Sequence, residues 1–401
     1  MAMNFYIITL VKLALTAFVL LTSCAYAVWV ERKVLGHIQL RPGPYFVGPH
    51  GLLQPLADVI KLITKEGLIP SYVNPFFYLL APFLAVALAL TSIVVIPFTP
   101  EFELFGVKTA MGLTDLDIGV LFILAISSLG VYGLAIGGWA SNNKYSLMGS
   151  LRSSAQMVSY ELPLALAIAA PLLLVNSLNL RTIVEAQSGY WLGILPKWMI
   201  FAGPVPQILS FFIFLIAAFA ETNRVPFDLP EAESELVAGF HTEYSSMMFA
   251  CFFMAEYASI ITICCVTTAL FLGGWHPLWP SAYGSDFLPV VVFGGFGLML
   301  LYHASQAARR RTWDRFSFPV FGVVFLALAG IFLIPVLKPL LIPLFWFLAK
   351  TGFLVFTFVW IRGTLPRFRY DQLMRFAWTF LFPLAVVNLL VTGLVVALTP
   401  N

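Results

Sequence analysis

Polar positions interrupt this chain only at intervals. Between them lie ten apolar windows, at residues 4–30, 74–98, 116–140, 155–176, 206–222, 243–272, 288–304, 317–335, 341–361 and 376–398. Most reach the ~20 residues that an α-helix needs to cross the hydrocarbon core. None shows the strict alternation of a half-buried strand. In lipid the backbone must satisfy its own hydrogen bonds, so long apolar runs become helices. The pattern predicts an all-α integral membrane protein with about ten transmembrane helices.

One polar segment has a period of its own. Residues 50–66 place Leu52, Leu56, Val59, Ile60 and Ile63 on one helical face and Gln54, Asp58, Lys61 and Lys65 on the other. That spacing predicts a short amphipathic helix, lying in the membrane interface or covering the polar end of the bundle.

Composition agrees with the pattern. The 401 residues are 60% hydrophobic and 10% charged, with mean hydropathy +0.93, whereas a soluble domain carries about a quarter charged residues. Placement of charge sets the topology. With the N-terminus outside, 16 of the 22 basic residues fall in the inner loops 31–73, 141–154, 223–242, 305–316 and 362–375, and four fall in the outer loops. This bias predicts both termini outside and the large polar loops in the cytoplasm. The windows 288–304 and 341–361 are the least regular, the first short and Gly-rich, the second preceded by Pro335 and Pro339. The chain reads as a single membrane domain over 1–401, without an internal repeat or a low-complexity linker.

Cys24, Cys251, Cys264 and Cys265 form no CxxC pair, so a disulfide framework or cysteine-ligated cluster is not expected. The segment 21–27 has the look of a signal cleavage site, but residues 1–11 carry no Lys or Arg; a first transmembrane helix is expected instead of a cleaved signal. His37 and His50 are separated by Pro42, Gly43, Pro44, Gly48 and Pro49, which excludes a single helix presenting both to a haem. Phosphate-binding loops, metalloprotease motifs and nucleophile elbows are absent. No metal site, no catalytic residue on this chain and no nucleic-acid partner are expected.

The carboxylates are unevenly placed. Of 19 Asp and Glu, six lie between 221 and 243: Glu221, Asp228, Glu231, Glu233, Glu235 and Glu243. Arg224 is the one Lys or Arg among them. Pro226, Phe227, Leu229, Leu236 and Phe240 give the same loop more apolar bulk than a free loop needs, so it is expected to fold in. Glu161 and Glu256 stand inside apolar windows. A charged carboxylate at mid-membrane costs at least about 2.5–3.5 kcal/mol unless hydrated or paired, so an internal acid there reads as functional.

Several polar segments together carry a resemblance. They are Glu31-Arg32-Lys33-Val34-Leu35-Gly36, Gln39-Leu40-Arg41-Pro42-Gly43-Pro44, Gly51-Leu52-Leu53-Gln54-Pro55-Leu56-Ala57-Asp58 and Gly138-Trp139-Ala140-Ser141-Asn142. The run continues with the whole of 220–237, from Ala220-Glu221-Thr222-Asn223-Arg224-Val225-Pro226-Phe227-Asp228 onward. Phe253-Met254-Ala255-Glu256-Tyr257 and Pro366-Arg367-Phe368-Arg369-Tyr370-Asp371-Gln372-Leu373-Met374 complete it. Over 1–275 and 350–398 the chain resembles the family of the H subunit (subunit 1) of respiratory complex I, NADH-quinone oxidoreductase.

The resemblance implies eight family-type spanning helices, no redox centre on this chain, and attachment of the membrane arm to the peripheral arm. Quinone would be the substrate, with NADH, FMN and iron–sulfur clusters held by partner subunits. It further implies that Glu31, Arg32, Arg41 and Asp58 line or support the quinone passage, whose lipid-side entrance the amphipathic helix would flank. Glu161, Glu221, Asp228, Glu231, Glu233, Glu235, Glu243 and Glu256 would form an acidic path from the quinone cavity toward proton-pumping subunits. A bacterial inner membrane, with lipid and the other complex I subunits as neighbours, is the implied setting.

Residues 276–349 depart from the pattern: two further apolar segments flank Arg309-Arg310-Arg311, and read as an insertion that keeps helix parity. Two other readings share some features. The equivalent subunit of a membrane-bound hydrogenase would share the fold. A stand-alone secondary transporter would account for buried glutamates but not for the crowded polar loops.

Overall fold

The computed structural model describes residues 2–104, 107–201, 203–230, 233–307 and 312–399, and the side chains of these except 2–8, 103–104, 107–109, 233–234, 307 and 312–314. Helices account for nearly all regular structure: α1 (Ala2–Ile38), α2 (Gln54–Thr64), α3 (Pro75–Ser92), α4 (Gly119–Ala140), α5 (Lys144–Val175), α6 (Leu180–Ala186) and α7 (Ile208–Glu221), followed by α8 (Glu233–Leu236), α9 (Ser246–Phe271), α10 (Leu288–Ala307), α11 (Thr312–Ile331), α12 (Lys338–Thr364), α13 (Tyr370–Phe376) and α14 (Phe382–Leu398). A π-helical turn, Ala377–Leu381, joins α13 to α14. Two short antiparallel hairpins stand outside the bundle, Phe102–Leu104 with Val107–Thr109 and Tyr190–Trp191 with Leu195–Pro196.

Every apolar window became a helix. Among the described residues eight helices are long and apolar enough to cross a membrane, and Ile208–Glu221 and Arg315–Ile331 are shorter apolar helices beside them. The chain is a multi-pass membrane protein. The ends of the windows moved where polar residues turned out to be helical. α1 runs past Val30 through Glu31 and Arg32 to Ile38. α5 begins at Lys144, not at 155, because Asn143 caps it: its side-chain oxygen accepts the Tyr145 N–H at 2.9 Å. The added turns bury Ser146, Ser150 and Ser153, so hydropathy alone hides them. Glu161 consequently lies in the middle of α5 rather than near its start.

α9 is the axis of the bundle, in contact with α1, α2, α3, α5, α6, α7 and α12. Around it are fully buried Tyr78, Phe214, Phe271 and Phe347, and Tyr78 stacks on Tyr244 at 4.2 Å. The polar loops gather at one end. Arg362 reaches Glu31, Arg367 reaches Asp228, Arg152 reaches Glu235 and Tyr72 reaches Glu243. At the opposite end Arg181 pairs with Glu101 and Asp115, and the Lys350 ammonium donates to the carbonyls of Leu272, Gly274 and His276 at 2.6, 2.8 and 2.6 Å.

α2 presents Leu56, Val59, Ile60 and Ile63 outward as exposed residues, as an interfacial helix would. The segment 276–349 contains α10 and α11 as an antiparallel pair, in which a Cβ added at Gly297 would lie 3.0 Å from the Gly322 carbonyl oxygen. Such close backbone approach is the packing that small residues allow in lipid. Phe318 of α11 stacks on His50 of the first polar loop at 5.2 Å. Arg309, Arg310 and Arg311 lie outside the described residues.

Candidate functional site

The acidic loop folds in, and the reasons are local. Beyond the end of α7 the chain turns under Phe227, Leu229 and Phe240, all buried. Gln156, reaching across from α5, donates to the carbonyls of Ala220 and Phe227, each at 2.8 Å. Gly149 lets the loop rest on α5: a Cβ there would sit 2.7 Å from the Gly239 Cα. Phe368 closes the outside by stacking on Phe227 at 5.6 Å. Burial of this kind removes carboxylates from bulk water, so each must find a base, a donor or a hydrated cavity.

Arg224 meets that demand at the centre. Its Nη1 lies 3.6 Å from Glu31 Oε2 and its Nη2 lies 3.6 Å from Glu256 Oε2. The guanidinium carbon sits 4.3 Å from the centre of the Tyr257 ring, within cation–π range. Tyr257 donates its hydroxyl to Glu31 at 2.8 Å, and Arg362 donates to the other Glu31 oxygen. Glu31 therefore accepts from a tyrosine and an arginine while sharing Arg224 with Glu256. Four helices or their ends contribute: α1, α7, α9 and α12.

Two cavities flank this cluster, one lined by Glu31 and Arg224 and the other by Glu256. A small one of about 10 Å³ is lined by Glu31, Arg224, Tyr257 and Arg362, with apolar residues of α1, α9 and α12. A larger one of about 110 Å³ lies among α3, α4, α5, α7 and α9, its polar lining made by Ser92, Ser127, Glu221, Thr222, Asn223, Glu256, Ser259 and Thr262. Glu221 has a buried Oε2 without a hydrogen-bond partner, and Ser128 donates to Glu161 one residue beyond Ser127. Glu221 and Glu256 thus line one space large enough for several waters.

The other sequence-predicted residues are distributed around this centre. Arg32 pairs with Asp58 at 2.9 Å on the exposed side of α1, and Gln54 donates to the same carboxylate at 2.8 Å. Arg41 is exposed and donates to Gln39 at 2.8 Å. Asp228 is paired with Arg367 at 2.9 Å. Glu235 is more than half exposed and pairs with Arg152 at 2.7 Å. Glu243 accepts from Tyr72 at 2.8 Å and from Asn143 at 2.7 Å, and the first of these hydrogen bonds pushes the Tyr72 phenol up. Glu231 and the side chain of Glu233 lie outside the described residues. Of the described sequence-predicted residues, Glu31, Glu221 and Glu256 line the two cavities, and Arg32, Arg41, Asp58, Glu161, Asp228, Glu235 and Glu243 do not. Among the described residues no three His, Cys, Asp or Glu are grouped to hold a metal.

Arg224, Tyr257, Arg362, Arg367 and Ser127 were not among the expected site residues. Arg224 had a signal, as the lone Lys or Arg in an acidic loop. Arg362 and Arg367 had none beyond their side of the membrane, because their partners are far away in sequence.

The comparisons with known proteins agree along the whole chain. A family model described as NADH dehydrogenase matches residues 11–393. The NADH-quinone oxidoreductase H subunit 1 of Solibacter usitatus is 66% identical over 396 residues, covering 99% of this chain and 98% of that one. The H subunit 2 of the same enzyme from Koribacter versatilis is 49% identical over 405 residues, covering 98% of each chain. The H subunit from Deinococcus radiodurans is 44% identical over 397 residues, covering 98% of this chain and 84% of its own. Coverage this complete on both sides includes residues 276–349, so the first two relatives share that segment. The chain belongs to the NADH dehydrogenase family.

Proposed function

We propose that this chain is the membrane subunit of a proton-translocating NADH:quinone oxidoreductase that forms part of the quinone passage and couples quinone reduction to proton movement. The observation that carries this reading is Arg224, held between Glu31 in one cavity and Glu256 in the other. Glu31, Arg32, Arg41 and Asp58 would border the quinone side. Glu161, Glu221, Asp228 and Glu256, with Glu231, Glu233, Glu235 and Glu243 farther along the same loop, would make the acidic route.

Reducing a quinone to a quinol takes up two electrons and two protons. The electrons would come from NADH through FMN and iron–sulfur clusters on partner subunits, since this family member is read as carrying no redox group. What this chain supplies is charge that can be moved. A unit-charge pair at about 4 Å is worth about 4 kcal/mol in a partly buried setting. A change of charge on the quinone side that draws Arg224 toward Glu31 therefore weakens its hold on Glu256. Glu256 then takes a proton from the hydrated cavity, and returns it when Arg224 swings back. Coupled carboxylates such as Glu161 and Glu221 pass that change on as proton shifts.

The setting follows from the same reading: a bacterial inner membrane, with quinone, lipid and the other membrane and peripheral subunits as partners. Residues 1–401 would form one membrane domain, with 276–349 an added helix pair. Nothing in the site favours a stand-alone transporter or the equivalent subunit of a hydrogenase.

The test is E256Q and E221Q in the purified complex. Both should slow quinone reduction and proton pumping together, with flavin and iron–sulfur subunits present in normal proportion. Wild-type turnover in both variants would remove the basis for this reading.

A further inference from the structure

The larger cavity does not stop at the acidic centre. Along α9 it is lined by Glu256, Ser259, Thr262 and Val266, residues three or four apart and so on one helical face. From Glu256 to Thr262 is about 9 Å at 1.5 Å per residue, directed away from the polar loops. α3 supplies Ser92 to the same lining, its hydroxyl 3.3 Å from Thr262 Oγ1.

The hydroxyls are unusual in what they leave undone. Farther down α9, Thr267 and Thr268 donate to the carbonyls four residues back, at 2.6 and 2.9 Å. Thr262 is 4% exposed and pairs with Ser92 Oγ at 3.3 Å. The Ser92 proton goes to the Ala89 carbonyl at 2.7 Å, so Thr262 donates to Ser92 and its own oxygen is left to accept from water. Ser259 has no hydrogen-bond partner among the described residues. Most of the remaining lining is aliphatic or aromatic, including Leu88, Ile123, Leu164 and Phe214. A buried water needs two to four polar partners, and apolar cavities stay dry. Away from Glu221 and Asn223, water in this space is therefore confined to the strip from Glu256 past Ser259 to Thr262 and Ser92.

We propose that Ser259, Thr262 and Ser92 form a hydrated, hydroxyl-lined side arm through which Glu256 exchanges its proton with water held at mid-membrane. The proposal rests on the reading of the cavity as part of a proton route. Each transfer breaks one O–H bond and makes another: a hydroxyl oxygen takes a proton from the water on one side and gives its own to the water on the other. No charge stays on the alcohol. The arm is blind. Val266 is the last α9 residue of the lining, and beyond it the far end of α9 is sealed by the Lys350 ammonium on the carbonyls of residues 272, 274 and 276. It holds and returns protons to Glu256 and is no exit.

The test separates hydroxyl from shape at one position. T262V keeps the volume and removes the hydroxyl; T262S keeps the hydroxyl and removes a methyl group. In the assembled complex T262V should lower quinone-reductase turnover by about threefold or more, the scale of one lost hydroxyl contact. T262S should stay near wild type, and S259A should follow T262V. If Thr262 only packs, T262V will match wild type and T262S will be the impaired one, and the proposal falls. It also falls if both variants are impaired or neither is. E256Q measured alongside keeps the two ideas apart. An impaired E256Q with a normal T262V rejects the side arm alone, whereas a normal E256Q rejects the proton route itself.

Discussion

His276 sits at the far end of the molecule from the acidic loop, where its ring nitrogen Nε2 lies 3.1 Å from the Val184 carbonyl. Burial first, and the Lys350 charge second, push its imidazole down to about 4. In the unfolded chain an ordinary histidine titrates near pH ~6.5. Between those values the unfolded state binds the extra proton, so the contribution of this group is complete above pH ~6.5 and is lost as the pH falls toward about 4. At most about 3 kcal/mol is involved, from 1.36 kcal/mol for each unit. Thermal unfolding of the assembled complex at neutral and mildly acidic pH should show a destabilisation that shrinks in H276Q, which can still donate to Val184 and never charges. An equal acid sensitivity in both would show that His276 is not the group responsible. Residues of this kind were poorly legible beforehand. His276 is one of five histidines in the sequence, and nothing around it in the chain announces Lys350, 74 residues away. Arg224 was partly legible, because a lone base among six carboxylates must be contested. Which two carboxylates contest it depends on α1 and α9 meeting, and that is a fact of packing.

At the scale of elements, α12 does two jobs with one helix. Lys350 caps the far end of α9, while Arg362, about 18 Å along the same helix at 1.5 Å per residue, reaches Glu31, which Tyr257 of α9 also holds. α9 is thereby fixed along its axis at its far end and near its middle, and Glu256 keeps its height relative to Arg224. The Lys350 ammonium is buried, lies 4.2 Å from the centre of the Trp198 ring and satisfies three carbonyls at once. K350M would leave those carbonyls without their donor, at a cost of about 1–3 kcal/mol for each that stays buried. The expected outcome is a lower midpoint for heat-induced loss of this subunit from the complex, with K350R a poor replacement because a planar guanidinium cannot address three converging oxygens as an ammonium does. An unchanged midpoint in K350M would refute the clamp. Element existence was legible from hydropathy, since lipid leaves helices as the one solution for such runs. Element ends were not, because α1 and α5 continue into polar residues that are buried against other polar loops. Hydropathy marks where lipid stops, and the helices stop later.

The whole molecule turns on parity. α10 and α11 are each 20 residues long, about 30 Å at 1.5 Å per residue, which matches the ~30 Å hydrocarbon core. Their tight antiparallel seam at Gly297 and Gly322 favours a pair that crosses and returns. A re-entrant pair would instead turn back before reaching the far side. The contact of Phe318 with His50 puts the start of α11 at the polar end of the bundle, whereas Lys350 and residues 272–276 put the start of the segment at the other. The two ends can be distinguished with a membrane-impermeant thiol reagent. Cys24, Cys264 and Cys265 are buried and Cys251 is partly so, so the native background is low. Cysteine placed at the exposed positions Tyr283 and Val336 should label from the outer side of sealed, right-side-out vesicles. Cysteine at exposed Arg315 should label only after the vesicles are opened. Labelling of all three from one side would mean that the pair does not span. The count of crossings would then fall from ten to eight, with α12 still returning 362–375 to the acidic end, where Arg367 must meet Asp228 in either case.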